Sequence, residues 1–219
     1  MTCSQRDSVG GLTVIEVLII VAVFSVLVAV FVPGMHTQRR SHGCSMRISC
    51  SNNLNQIGLA FRPWALDNND QFPFQVPVTN GGTMELTSSG IASVHFQVMS
   101  NELSTPKILL CPADTGRTNA SSFATGLNNW NISYFVGIDA ANTNPAMFLC
   151  GDRNITNGLP LQGGFLCLPT NRLAGWTHKI HVNQGNIGLA DGSVQGFTTP
   201  RLQQALVSTG TATNRLAMP

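Results

Sequence analysis

The sequence predicts an α+β fold in which a long N-terminal helix packs on a C-terminal antiparallel β-sheet domain. Residues 12–32 are apolar apart from one charged residue, Glu16. A stripe of apolar residues at helical spacing follows, and Asp191-Gly192 separates two alternating runs, which is typical of a β-hairpin. We therefore expect three parts: a polar leader at 1–11, a helix at 12–62 and an α+β domain at 63–219.

The apolar run predicts a membrane span. A helix over residues 12–32 would be about 32 Å long, which matches a hydrocarbon core of about 30 Å. A secretory signal peptide has a shorter apolar stretch and a cleavage site of small residues, and Pro33-Gly34-Met35 offers no such site. We expect residues 12–32 to cross a membrane once and to anchor the domain that follows.

The second half of the predicted helix is marked by one apolar stripe. Its members recur every three or four residues: Met46, Cys50, Leu54, Ile57 and Phe61. This spacing places them on one helical face, which needs a partner surface, and the following domain is the simplest one. We expect the helix to end at Arg62, because the residue before a proline avoids helical backbone angles.

Several strands are predicted in the C-terminal domain. Residues 107–111 and 132–136 are short apolar runs typical of buried strands. Residues 186–190 and 193–197 are expected to form a hairpin with a two-residue turn at Asp191-Gly192. Such a turn would place Leu189 opposite Val194.

Composition argues against two functional classes. Only 10% of the residues are charged and the net charge is +2, without the basic stripe that nucleic-acid binding requires. The sequence has no Gly-x-Ser-x-Gly motif and no glycine loop that would cradle a phosphate. We therefore expect neither a nucleic-acid-binding protein nor an enzyme.

The segment Gly10-Gly11-Leu12-Thr13-Val14-Ile15-Glu16 resembles the processing site of type IV prepilins and of type II secretion pseudopilins. The resemblance implies that a prepilin peptidase cleaves between Gly11 and Leu12 and that the new amine of Leu12 is methylated. Leu12 stands where the family usually has phenylalanine. In a filament, Glu16 of one subunit would neutralise the Leu12 amine of its neighbour, which offsets the desolvation of both charges.

Further motifs extend the resemblance over nearly the whole chain. Two motifs resemble a group of prepilin-like proteins abundant in planctomycetes and verrucomicrobia: Cys111-Pro-Ala-Asp114, and His181 separated by nine residues from Asp191-Gly192. The resemblance implies a pilin-like fold and a structural subunit of a pilus-like filament, in type II secretion or a related system. Its partners would be the prepilin peptidase, copies of itself or other pseudopilins, and the inner membrane. The C-terminal domain would be periplasmic or extracellular, and the subunit would be able to move into a filament.

An alternative function is a membrane-anchored module that binds polysaccharide or another envelope component. Its stacking surface would use Trp64, Trp130, Trp176 and Tyr134, although these aromatic residues are more typical of a core.

The cysteines indicate two disulfides. Cys3 lies in the leader, and a periplasmic domain would permit pairing of Cys50 with Cys111 and of Cys150 with Cys167. Cys44 would then be free or would form an intermolecular bond. Buried unpaired thiols are the alternative.

No cofactor and no metal ligand are predicted. His178, His181 and Asp191 include zinc-binding residue types, but the turn already accounts for Asp191. Calcium is considered because the resemblance extends to pseudopilins that bind it in their C-terminal region. Asp114, Asp139 and Asp152 are candidates by type alone, since the sequence has no Asp-x-Asp-x-Asp loop.

Overall fold

A computed structural model describes residues 13–219, with the side chains of 13–29, 43 and 45–219. The predicted leader and the cleavage site at Gly11 and Leu12 lie outside the described residues, as does the side chain of Cys44. The chain divides into two compact units, Met1–His42 and Gly43–Pro219.

The described elements make an α+β protein. The helices are α1 (Val14–Asp67), α2 (Ala92–Gln97), α3 (Ser100–Leu103) and α4 (Thr199–Ser208). The strands are β1 (Tyr134–Gly137), β2 (Phe148–Asp152), β3 (Ile155–Thr156), β4 (Phe165–Pro169), β5 (Gly175–Trp176), β6 (Gln184–Leu189), β7 (Val194–Thr198) and β8 (Thr213–Ala217). Six strands form one antiparallel sheet in the order β4-β8-β1-β2-β6-β7, and β3 pairs with β5 in a second sheet.

The predicted membrane span is wrong. Among residues 13–219, no helix is long and apolar enough to cross a membrane. This finding overturns the transmembrane assignment of 12–32 and the single-pass location in the inner membrane. It also overturns the pilin-like fold class, in which the first half of one long helix spans the membrane.

Within Gly43–Pro219, the predicted apolar stripe lies in the core from Cys50 onward. The side chains of Cys50, Leu54, Ile57 and Phe61 are fully buried, whereas Met46 is 36% exposed. The predicted helix end at Arg62 is wrong. The helix continues through Pro63 to Asp67, because this extra turn buries Trp64 and Ala65.

The α1 helix ends where the backbone becomes left-handed. Asn69 and Asp70 have φ angles of 57° and 58°, and the amide of Asp70 donates to the carbonyl of Ala65. Asparagine and aspartate tolerate this conformation better than other residues with a side chain. The amide groups after the helix therefore satisfy its last carbonyl groups.

The predicted strand at 107–111 is wrong, because the chain forms a 3₁₀ helix at Pro106–Leu109. Proline is well suited to the first turn of a helix, where its missing N–H has no partner to lose. The hydroxyl of Thr105 caps the helix by accepting from the amide of Lys107. Further 3₁₀ helices lie at Pro73–Gln75, Val78–Asn80, Met84–Ser89 and Asn129–Asn131.

The hairpin exists, but its predicted two-residue turn is wrong. Val194 pairs with Gly188 rather than with Leu189, and the amide of Leu189 donates to the carbonyl of Ser193. The loop therefore has three residues, from Ala190 to Gly192. The amide of Gly192 donates to the carbonyl of Leu189 and its φ is 86°, as in a turn followed by a left-handed glycine at a bulge.

The main sheet is covered on both faces. Tyr134 and Val136 of β1 belong to the core that contains Cys50, Leu54 and Ile57, whereas Phe135 belongs to a second core with α4. Successive side chains of a strand point to opposite faces, so the two cores lie on opposite sides of the sheet. The part of α1 after Cys50 thus packs on one face and α4 packs on the other.

Candidate functional site

Four metal-ligating side chains meet in the buried core of Gly43–Pro219. They come from separate parts of the fold: Cys50 from α1, Cys111 from the loop after the 3₁₀ helix, Asp152 from the end of β2, and His181 from the loop before β6. One ligand atom from each residue lies within 4.8 Å of the others. We call this group of four residues the buried ligand cluster.

The distances within the buried ligand cluster are short. The Cys50 Sγ lies 2.8 Å from Asp152 Oδ1, and the Cys111 Sγ lies 3.4 Å from His181 Nε2. The His181 Nε2 is 3.5 Å from Asp152 Oδ2. All four residues are buried, and the carboxylate of Asp152 is fully shielded from solvent.

Neighbouring groups hold the cluster in place. The Oδ2 atom of Asp152 accepts from the backbone amide of Asn186 at 2.7 Å and from its side-chain amide at 3.0 Å. The phenolic oxygen of Tyr134 lies 3.3 Å from the Cys50 Sγ. Both Asn186 donors reach Oδ2, and Oδ1 accepts from the Cys50 thiol.

The backbone after His181 is strained. Val182 and Asn183 have φ angles of 49° and 58°. A positive φ is rare for a β-branched residue such as valine and is maintained only where the surrounding structure enforces it. This turn brings the imidazole of His181 into the core instead of leaving it at the surface beside the exposed His178.

Burial and mutual contacts shift the protonation of the cluster. Burial raises the pKa of Cys50, and its hydrogen bond with Cys111 raises it further. The same hydrogen bond, helped by His181, outweighs burial and lowers the pKa of Cys111 to about 6. Burial also raises the pKa of Asp152. Burial opposes the charged form of His181, but its contact with Cys111 and the charge of Asp152 together raise its pKa.

The Asp191-Gly192 part of the predicted motif contacts helix α1. The guanidinium of Arg62 donates to the carbonyl of Asp191. A Cβ built on Gly58 would lie 3.4 Å from the carbonyl oxygen of Gly192, so the backbones of helix and turn approach closely. The carboxylate of Asp191 accepts from the amide of Ser193 at 2.8 Å and closes the turn. The Asp191-Gly192 turn therefore contacts α1 directly, and the imidazole of His181 lies within 4.8 Å of Cys50 of the same helix.

The two predicted disulfides have different outcomes. Cys50, Cys111, Cys150 and Cys167 are all free thiols in the structure. Cys150 lies on β2 and Cys167 on β4, and two strands separate them. At about 4.8 Å per strand they are about 14 Å apart, too far for a bridge, so that pairing is wrong. The structure does bring Cys50 and Cys111 together, but in the cluster and without a bond.

The calcium candidates do not converge. Asp114 forms a two-pronged ion pair with Arg153, at 2.6 Å and 2.8 Å. Asp139 pairs with Arg215, and Asp152 belongs to the cluster. The three residues considered as zinc ligands in the sequence do not share one environment. His178 and Asp191 are exposed, whereas His181 is buried.

Glu16 has a local role that sequence reasoning missed. Its carboxylate accepts from the backbone amide of Thr13 at 2.8 Å and from the Thr13 hydroxyl at 2.9 Å. Thr13 precedes the first residue of α1, and Thr13-Val14-Ile15-Glu16 has the spacing of a capping box. These hydrogen bonds lower the pKa of Glu16. The Thr-x-x-Glu pattern was the signal available in the sequence.

The four aromatic residues of the alternative function do not form a surface. Trp64, Trp176 and Tyr134 are buried in the core. Trp130 is 70% exposed, and the guanidinium of Arg117 lies 4.8 Å from the centre of its ring. Trp130 is therefore the only one of the four that is exposed, and its ring already contacts an arginine.

Comparisons of this chain with protein-family models, with curated proteins and with solved structures found no match. They provide no family evidence for a pseudopilin or for type II secretion.

Proposed function

We propose that this protein is a structural subunit of a pilus-like filament, released from its leader by a prepilin peptidase and methylated at Leu12. The proposal draws on the resemblance of residues 10–16 to prepilin processing sites. It needs no catalytic group in this chain, because the chain is the substrate of the peptidase and then a building block. Copies of the chain are its partners.

The observation that carries the proposal is the apolar surface of the first part of α1. Twelve large apolar side chains between residues 14 and 28 are each 45–79% exposed: Val14, Ile15, Val17, Leu18, Ile19, Ile20, Val21, Val23, Phe24, Val26, Leu27 and Val28. They surround the helix on all sides. A helix that is apolar all round requires burial in a larger core, and so large an exposed patch marks an interaction site.

Copies of the same segment are the occupant that the residues favour. The only charged side chain among residues 13–29 is Glu16, near the start of the helix. Cleavage before Leu12 would create an amine next to Thr13, in reach of the Glu16 of an adjacent copy. Pairing of these two charges would cancel their cost of burial and would set the stagger between subunits.

Processing and assembly are tested separately. In cells that contain a prepilin peptidase, intact mass should show a chain that begins at Leu12 and carries one added methyl group. Gly11→Leu should retain the leader, because the peptidase site is altered. A wild-type chain that keeps its initiator methionine beside an active peptidase would contradict the processing step.

Glu16→Gln separates the charge of Glu16 from its capping role. Glutamine also completes a capping box, so the helix start is preserved while the charge is lost. We expect the Gln variant to be cleaved normally and to yield few filaments by electron microscopy. Normal filament yield from Glu16→Gln, together with loss from Glu16→Ala, would assign Glu16 to capping alone and would contradict the charge pairing.

A further inference from the structure

We propose that the buried ligand cluster is a structural zinc site that fastens helix α1 to the sheet. The inference is independent of the filament function, because it concerns only the unit Gly43–Pro219. Its ligands would be the Sγ atoms of Cys50 and Cys111, Nε2 of His181 and one carboxylate oxygen of Asp152.

The geometry matches a tetrahedral ion. Zinc lies about 2.3 Å from sulfur and about 2.0–2.2 Å from nitrogen or oxygen, so neighbouring ligand atoms stand about 3.3–3.8 Å apart. The Cys111 Sγ to His181 Nε2 contact, at 3.4 Å, lies in this range. The His181 Nε2 atom also lies 3.5 Å from Oδ2 of Asp152, the carboxylate oxygen that Cys50 does not contact. The Cys50 Sγ to Asp152 Oδ1 contact, at 2.8 Å, would lengthen by a few tenths of an ångström on binding.

The donor set selects the metal. Two sulfur atoms and an imidazole suit zinc and disfavour calcium and magnesium, which prefer oxygen ligands. Four protein ligands complete the coordination, and all four residues are buried, so no position remains for water or substrate. A closed site of this kind is structural rather than catalytic.

Charge balance also favours a cation. With both cysteines deprotonated, the cluster holds two thiolates and a carboxylate in a fully buried setting, and a divalent cation offsets most of this charge. The thiol protons leave to solvent when the ion binds. Asn186 and Tyr134 then play the part of the outer groups that orient metal ligands: Asn186 holds Asp152, and the Tyr134 hydroxyl donates to the Cys50 sulfur.

The position of the ligands assigns a role to the ion. Cys50 and Asp152 are separated by 102 residues, and Cys111 and His181 by 70. One ion would therefore close long loops and join α1, β2 and two connecting segments, where chain entropy otherwise opposes association. The histidine of the His-x9-Asp-Gly motif and its Asp-Gly turn would then fasten α1 at two points.

The test uses the full-length chain purified under reducing conditions without added chelator. Elemental analysis should find about one equivalent of zinc, and removal by a chelator should lower the melting temperature until zinc is restored. Replacement by Co²⁺ should produce a thiolate-to-metal charge-transfer band and the intense visible bands of tetrahedral cobalt. This measurement on the unaltered chain does not depend on whether any variant folds.

Cysteine variants locate the ion. Cys50→Ser and Cys111→Ser should lose the charge-transfer band or retain it at roughly half intensity, since each removes one of two thiolates. Cys167→Ser is the matched control, because this cysteine is outside the cluster, and it should bind like the wild type. A folded, reduced wild-type protein with less than about a tenth of an equivalent of zinc and no cobalt spectrum would overturn the proposal. A Cys50–Cys111 disulfide in the protein isolated from cells would overturn it as well.

Discussion

His95 is a buried histidine that is expected to lower the free energy of unfolding of this protein in acid. His95 is fully buried, its Nδ1 lies 2.7 Å from the Thr83 hydroxyl, and its Nε2 has no partner among the described groups. Burial lowers its pKa from 6.5 to about 4. The folded protein therefore keeps His95 neutral over a range in which the unfolded chain is protonated.

The sign of the effect follows from proton binding. Between pH 6.5 and 4 the unfolded chain binds a proton at residue 95 that the folded chain does not, so the free energy of unfolding falls as pH falls. We expect the loss to be about 3 kcal/mol over this range. His95→Gln should remove that part of the loss in urea unfolding measured at both ends of the range.

The exposed His178 provides the control for this measurement. His178→Gln should leave the difference in unfolding free energy between the two pH values unchanged. An equal loss in the wild type and in His95→Gln would show that other groups cause the acid sensitivity.

Glu16 is a second single residue with a role to test, because its side chain caps a helix and would also pair with an amine in the proposed filament. In the uncleaved chain its carboxylate caps the start of α1 through Thr13. In the proposed filament the same carboxylate would meet an amine that exists only after cleavage. A capping box alone explains the helix start, so only the comparison of Gln and Ala variants separates the two roles.

At the scale of elements, the hairpin β6–β7 and helix α1 depend on each other. Gly192 closes the three-residue loop with φ 86°, and a Cβ there would lie 3.2 Å from Nε of Arg62. The turn must therefore keep both a left-handed backbone and open space toward the helix. Glycine is the residue that meets both conditions.

Gly192→Ala should destabilise the protein more than a matched change elsewhere. Gly126 has a similar φ of 88° but open space at its Cβ, so Gly126→Ala reports the backbone cost alone, about 1 kcal/mol. We expect Gly192→Ala to cost about 1 kcal/mol more, because it also disturbs the hydrogen bond from Arg62 to Asp191.

Chemical denaturation of both variants measures the difference. In an Arg62→Met background, Gly192→Ala and Gly126→Ala should lower the free energy of unfolding by nearly the same amount, because the hydrogen bond from Arg62 to Asp191 is already absent. Equal costs in the wild-type background would contradict a role for the turn in holding the helix.

At the scale of the whole molecule, the two compact units present different surfaces. Gly43–Pro219 buries most of its large aromatic residues, and these lie on both faces of the sheet. The described side chains of the first unit include twelve exposed large apolar residues. Association with other copies is therefore expected to depend on the first unit, while stability against unfolding depends on the second.

A charge placed in each unit tests this division. Phe24→Asp, in the apolar stretch, should abolish filaments in electron micrographs and leave the melting temperature of the sheet domain unchanged, because burial of an unpaired charge between copies costs several kcal/mol. Leu173→Asp is the control, since Leu173 is 81% exposed in the second unit. Filaments of normal length from Phe24→Asp would contradict assembly through this helix.

Local patterns in the sequence are sufficient for part of this architecture. The spacing of Cys50, Leu54, Ile57 and Phe61 specifies a helical face, because side-chain direction repeats every 3.6 residues whatever the partner is. Asp191-Gly192 also indicates a hairpin locally, because the tight loop needs a left-handed backbone that few residues other than glycine adopt readily. The length of the loop between β6 and β7 was not predicted correctly. The register of these two strands also depends on the pairing of β6 with β2, which local patterns do not encode.

The amino-acid sequence by itself determined the apolar N-terminal stretch, the buried helical stripe and the presence of a hairpin, all of which depend on short-range periodicity. Only the tertiary structure decided that α1 continues past Pro63, that residues 107–111 contain a 3₁₀ helix, and that Cys50, Cys111, Asp152 and His181 meet. Their meeting depends on how distant segments pack against one sheet. No spacing along the chain encodes that packing, because each ligand comes from a different element.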